Sequence, residues 1–477
     1  HIHHVIGLSL DLFYAAKERN IPLVYTVHDF YCISPAYKLL DENDQYIAPD
    51  CDDMDRWKRA LTKYAGYSET VNIIPKWRKE FLAALRNCDR IIIPHESGKD
   101  IFLNYYPELR NITKVINHGT DMDEHASKEV SIDDIRDCQE IEYAMDHMEY
   151  LGRACVGIQG WVLMKNVDNK SVKKYIASLD NEKWVLVELE QDNRPDIVNY
   201  FGSENYKCSG FHGFYPIQPG KTYQLIMEYE NQYYTSKKLK LTFENQKTES
   251  NNKRNVAFLG GMVPEKGSKI AYDMITKGDK DKYEWYVFGA IGDQALHDLN
   301  QSNYHKSGVY SKNDLETMIQ GCDIDIICIL SVWPETFCYT LSESILCNTP
   351  VLVIDLGAQG ARVSSNNYGF TVPYGADGHV VLQKLDDIFE DSEKYREIKK
   401  NATEYVEKSV VAMCSEYKVL YESILKTDIL RMGKHDNKLL LSSLVLVSRD
   451  SLSKADQRQS ISDYEQQLQV LNAELMG

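Results

Sequence analysis

Between residues 255 and 425 short apolar runs alternate with helical patterns, and that alternation limits the possible folds more than any other feature. The order is NVAFLGG, a helix near 268–277, EWYVFG, a helix near 293–299 and YHKSGVY. A helix at 313–320, DIDIICIL, a helix at 338–347, PVLVID and two long helices by 425 complete it. Apolar strands separated by crossover-length helices require a parallel sheet with both faces covered. Residues 8–125 show the same texture, with a helix around 8–19, PLVYTV, helices near 55–64 and 76–87, RIIIP, a helix near 97–105 and KVIN.

The stretch between these halves differs. Residues 126–152 are charged and read as helical, whereas 153–248 carry short alternating runs (KWVLVELE, YQLIMEYE, KLKLTFE) with turns at DNRPD, SGFHG and QPGK. That pattern predicts an all-β module, most simply a small sandwich. The expected divisions are 1–127, a helical connector at 128–152, the β module at 153–248, the second α/β unit at 253–426 and a tail at 427–477. NQKTESNNKR (245–254) reads as the exit linker. Tyr464, Leu468, Leu471 and Leu475 suggest the start of a coiled coil through which the tail could self-associate.

A chain of 477 residues is long enough for two or three domains, and 43% hydrophobic with 26% charged residues is a globular balance. Lys plus Arg number 54 against 71 Asp plus Glu, a net charge of −17, which argues against a nucleic-acid binder. A small anionic ligand remains compatible, because a few backbone amides and one lysine suffice for a diphosphate. The eleven cysteines are scattered without a CxxC pair, so neither a zinc site nor a disulfide framework is signalled, and a reducing cytosol is the natural setting.

In open parallel sheets ligands sit at the carboxyl ends of the strands. Three such ends here carry glycine-rich or polar loops: Gly260-Gly261-Met262-Val263-Pro264-Glu265-Lys266-Gly267, Phe288-Gly289-Ala290-Ile291-Gly292-Asp293, and Trp333-Pro334-Glu335-Thr336. Paired glycines let backbone approach a ligand, and Lys266 offers a point charge to phosphate, but a Gly-Gly turn beside a solvated lysine would look the same. Glu335 precedes a helix and Glu343 lies eight residues on, roughly 12 Å at helical rise. That exceeds the separation of a glycosidase acid pair, at most about 9.5 Å. It suits two hydroxyl-bearing sugars bridged by a diphosphate facing the helix amides, although a helix start followed by a solvated acid fits the spacing as well.

PETFCYTLSESILCNTPVLVID resembles the Glu-x7-Glu signature of retaining glycosyltransferases of family 4, which have the GT-B fold of two facing Rossmann-like domains. FLGGMVPEKGS is similar to that family's glycine-lysine loop, YHKSGVYSKNDL to the stretch around the donor base, and DLGAQGARV to the segment after the last strand. YTVHDFY, IIIPHESGKDIFLNYYPEL and INHGTD match the acceptor domain. The resemblance spans roughly 1–125 and 255–425. It implies an α/β GT-B chain with an N-terminally truncated first domain and an inserted β-sandwich-like domain. It further implies a cytoplasmic, bacterial-type hexosyltransferase acting in polysaccharide or glycoprotein biosynthesis, with no tightly bound cofactor and no metal. Its donor would be a UDP- or GDP-sugar and its acceptor a glycan or lipid-linked molecule.

By the same resemblance Glu335 would hold donor sugar hydroxyls, Glu343 the ribose, and Lys266 with Gly260 and Gly261 the diphosphate. Phe337 and the amides of Cys338, Tyr339 and Thr340 would complete the phosphate cradle, Gly308, Val309 and Tyr310 would line the base, and His28 would face the reacting sugar. Three departures stand out. Gly261 replaces a usual arginine, Cys338 stands where glycine is frequent, and the strands and glycine-rich loop that normally precede HIHH are not in this sequence. A non-catalytic glycan-binding or assembly module and a sugar-nucleotide epimerase are the alternatives. DID (323–325) and DMD (121–123) read as structural and not as metal motifs. Core packing accounts for Trp161, Trp184, Tyr206, Phe211, Tyr233 and Tyr234 at least as well as glycan contact. KWRKEFLAALR (76–86) fits an ordinary surface helix, with a peripheral membrane contact as the other option.

Overall fold

The computed structural model describes the chain except for residues 67–72, 122–127, 152–154, 181–182, 218–220, 242–252, 309, 311 and 426–477. Val309, Met122 and Asp123, most of the exit linker and the whole tail lie outside the described residues.

Arg254–Leu259, Tyr283–Phe288, Tyr304–Gly308, Ile326–Ile329, Val351–Asp355 and Gly369–Pro373 form one parallel six-stranded sheet. In space the order is third, second, first, fourth, fifth, sixth. The chain therefore reverses direction between its first and fourth strands, and the crevice outside their carboxyl ends is where a doubly wound sheet takes its ligands. Val256, Phe258, Ile326, Ile327, Val351 and Leu352 are fully or almost fully buried, as a sheet covered on both sides requires. The final parallel strand, Gly369–Pro373, lies where the sequence was read as continuing into two long helices. Its glycine, threonine and proline make it a weak strand signal; pairing with Val351–Asp355 decides it.

The first half holds a three-stranded parallel sheet of Val24–Thr26, Arg90–Ile93 and Thr113–Val115, with Ile2 bridged to Tyr25. The helix Ile74–Leu85 buries Trp77, Phe81, Ala84 and Leu85. The apolar side of KWRKEFLAALR is thus spent on the core and is not offered to a membrane surface. No helix among the described residues is long and apolar enough to cross a membrane. The last described helix, Val410–Leu425, returns to the first half, where Leu420 and Ile424 pack on Val24, Ile92 and Ile116.

The β region starts earlier than 153. Lys128–Ser131, Ile135–Asp137 and Ile141–Leu151 are strands, so the helical connector expected at 128–152 is corrected to sheet. Ile141, Tyr143 and Met145 alternate with Glu142 and Ala144, but a bulge between Met145 and His147 breaks the period, and the remainder reads as aperiodic charge. A four-stranded and a seven-stranded sheet share a core containing Val156, Ile158 and Phe211 from one and Ile176, Leu225 and Met227 from the other. Trp184, Phe211 and Tyr233 are buried, in line with the packing reading of the aromatics. Cys155 and Phe214 join the hydrophobic cluster of Leu315, Met318 and Cys322, so this region is seated on the second parallel unit.

Candidate active site

The first and fourth strands of the six-stranded sheet are neighbours, so their following loops meet. Lys266 Nζ donates to Glu335 Oε1 at 2.6 Å, and Ser331 Oγ donates to the same oxygen at 2.5 Å. Glu335 is 6% exposed, whereas the Lys266 side chain retains 36% of its surface. Burial acts to lower the lysine's pKa, but the Glu335 charge and hydrogen bond outweigh it and the ammonium is held more firmly than usual. Glu335 Oε2 accepts no hydrogen bond from another described residue.

Close backbone approach shapes this corner. Gly267 has φ +85°, and a Cβ there would lie 2.3 Å from the Leu330 carbonyl oxygen; Gly357, at φ +61°, would place one 2.6 Å from the Pro334 Cα. Neither tolerates a side chain. Gly261, by contrast, has open space around it. Cys338 caps the helix Tyr339–Leu346 with φ +71°, the conformation that explains why glycine suits this position.

Arg362 and Gln359, neither singled out from sequence, hold the loop from behind. Arg362 Nη1 donates to the Phe337 and Cys338 carbonyls at 3.0 and 3.1 Å, and Nη2 donates to Ser342 Oγ at 2.9 Å and to both Glu407 oxygens at 3.0 Å. Its guanidinium lies 4.4 Å from the centre of the buried Phe337 ring. Gln359 Nε2 donates to the Trp333 carbonyl at 3.2 Å. With both carbonyls engaged by Arg362, the first-turn amides of Tyr339–Leu346 still lack acceptors within their own helix.

The first half reaches this corner directly. Thr336 Oγ1 donates to the His28 carbonyl at 2.5 Å, and His118 stacks between the His28 ring at 5.2 Å and Tyr339 at 5.4 Å. The His28 ring nitrogen Nε2 meets His3 Nδ1 at 2.8 Å. Burial, aided by the charges of His28, His3 and Lys408, lowers the His118 pKa to about 4, so its ring is neutral near pH 7. Lys38 pairs with Glu265 at 2.5 Å, a second tie between the halves. His118 gave no sequence signal beyond its place in INHGTD.

Glu343 is half-buried on the same helix as Tyr339 and Thr340, and Thr340 Oγ1 sits 3.3 Å from Cys338 Sγ. Burial raises its pKa, with Lys312 acting in the opposite direction; Glu343 in turn helps push the Tyr310 phenol up, after burial. Tyr310 and Glu343 are therefore neighbours, and Gly260 lies against Thr340, whose methyl would be 3.2 Å from an added Cβ. A carboxyl raised on folding keeps its proton to higher pH than in the unfolded chain. Its contribution to stability is complete below the ordinary carboxylate pKa and is lost as pH rises through the folded value. Glu343→Gln is thus expected to raise the melting temperature above neutral pH, with the gap closing toward acid. Equal melting curves at every pH would refute the burial of this carboxyl.

Asp325, from the DID sequence, accepts from the Asn255 amide at 2.9 Å and pairs with Arg254 at 3.3 Å at the amino end of the sheet, away from the crevice. No group of three or more His, Cys, Asp or Glu that could hold a metal occurs among the described residues.

Residues 240–405 match the family model of glycosyl transferases group 1. The match covers the six-stranded unit. No curated protein sequence matches the chain. Solved structures similar to it include the HepE protein of Anabaena in complex with UDP, 14% identical over 87% of this chain and 76% of that one, with a TM-score of 0.46. A sucrose-phosphate synthase from Thermosynechococcus elongatus is 12% identical over 89% and 73%, with a TM-score of 0.45. A glycosyltransferase from Rickettsia africae is 14% identical over 87% and 80%, at 0.42.

Proposed function

We propose that the chain is a retaining glycosyltransferase that moves a sugar from a nucleoside diphosphate sugar to a glycan or lipid-linked acceptor in cell-surface polysaccharide or glycoprotein synthesis. The observation that carries this reading is the Lys266–Glu335–Ser331 cluster at the reversal point of the sheet, beside the free amides of the Tyr339–Leu346 helix. Breaking the glycosyl phosphate bond leaves positive charge on the sugar carbon and negative charge on the departing diphosphate. Lys266 has N–H donors beyond the one given to Glu335, and with the amides of Cys338, Tyr339 and Thr340 it stabilises that anion electrostatically. Glu335 Oε2 accepts from donor sugar hydroxyls, Glu343 from the ribose, and the Gly308–Tyr310 segment lines the base. His28 faces the sugar from the first half, and no protein nucleophile is assigned.

Purified protein incubated with UDP- and GDP-sugars, with diphosphate release followed in the presence of glycan acceptors, tests the reading. Turnover with one nucleotide class is expected. Absence of release with every donor, together with retained glycan binding, would instead favour the non-catalytic module; product formation without any acceptor would favour the epimerase.

A further inference from the structure

His118 makes ring contacts to both halves at once. Its imidazole lies 17° from parallel to the His28 ring at 5.2 Å on one side and 9° from parallel to the Tyr339 ring at 5.4 Å on the other. It meets Phe337 edge to face at 5.1 Å. Parallel and edge-on pairs are the arrangements that packed aromatic rings favour. The ring is buried and hydrogen-bonds to no other described residue, so its faces and edge make these contacts, not its nitrogens.

The backbone beside His118 is tied down. A Cβ on Gly119 would lie 2.3 Å from the Ser409 carbonyl oxygen, and the Thr120 amide donates to the Lys408 carbonyl at 2.8 Å. The Val410 amide donates to the Asp121 carboxylate at 3.2 Å. The segment leaving the first half is thereby joined to the one that returns to it. The charges and titratable groups around the ring are His28 and His3 of the first half, Lys408 of the returning segment, and the Tyr339 phenol, with Arg362 beyond Phe337. Lys408 is itself paired with Glu416 at 2.7 Å. A proton on His118 would thus meet two imidazoles and an ammonium, and the plate holds while it is uncharged.

We propose that His118 is a positioning residue, a planar spacer that fixes the start of the Tyr339–Leu346 helix relative to His28. Its effect on catalysis rests on the transfer reading; the spacing itself does not. His118→Phe keeps the plate and removes the nitrogens, whereas His118→Asn keeps a hydrogen-bonding group and removes the plate. Hydrogen exchange across residues 337–346, followed by mass spectrometry without substrate, is expected to match the parent in His118→Phe and to be faster in His118→Asn. Near pH 7 His118→Phe should retain kcat with the preferred nucleotide sugar. His118→Asn should lose at least about tenfold in kcat with a smaller change in KM, because displaced groups cost reaction geometry. The unfolded chain takes up a proton below the ordinary histidine value of about 6.5 that the buried ring accepts only near about 4, so stability falls across that interval as the pH drops. The melting temperature of His118→Phe should fall less than the parent's over the same range. Unchanged exchange in His118→Asn, or exchange in His118→Phe as fast as in His118→Asn, would overturn the spacer. Full kcat in His118→Asn would overturn its bearing on catalysis. A parent that turns over no nucleotide sugar would remove the transfer reading, and exchange would still decide the spacer.

Discussion

Lys266→Ala and Glu335→Ala are each expected to lower turnover of the preferred nucleotide sugar at least about tenfold, a rise of ~1.4 kcal/mol in the barrier. Because the two side chains share a hydrogen bond of 2.6 Å, their effects should not add. Without Glu335 the ammonium loses the partner that aims it; without Lys266 the carboxylate keeps only Ser331. The double variant should therefore fall little below the worse single one. The lysine's loss should be felt in kcat, since charge builds on the leaving diphosphate in the transition state. Full rates in both single variants, measured by diphosphate release, would remove this corner from the chemistry.

Arg362→Leu is expected to cost about 3–5 kcal/mol of stability, because it strands the Glu407 carboxylate in the interior. The two side chains are 5% and 4% exposed and meet through two hydrogen bonds of 3.0 Å. Replacing both, Arg362→Met with Glu407→Met, should recover most of the stability, since an apolar pair needs no compensation. Turnover should not recover with it. The Phe337 and Cys338 carbonyls would still lack their donor, and the loop that presents the helix amides would relax. Denaturant unfolding and turnover of the single and double variants separate these effects. A single variant as stable as the parent would exclude the clamp, and a fully active double variant would exclude its positioning role.

Much of the second unit was legible because its signals are local. Helices expected at 268–277 and 338–347 appear as Ser268–Lys277 and Tyr339–Leu346, and the strands ending at Leu259, Phe288 and Ile329 fall where their apolar runs stand. The residues at the strand ends could be named for the same reason: a parallel sheet exposes only those loops to a ligand. The Ile141–Leu151 strand was missed because one bulge hides a period of two behind charged side chains, and Lys128–Ser131 and Ile135–Asp137 are too short and too charged to show a period. Arg362 was missed because an arginine in a helix is read as solvated until something buried is found for its five donors.

Sequence periodicity alone determined that two parallel α/β stretches flank a β-rich one, since apolar spacing dictates which face of each element leaves water. Tertiary structure alone decided that Lys266 meets Glu335, 69 positions away, that His118 lies between His28 and Tyr339, and that Arg362 reaches under the acid loop. Those meetings follow from strand order, and strand order is a property of the whole sheet's packing that no local window of residues contains.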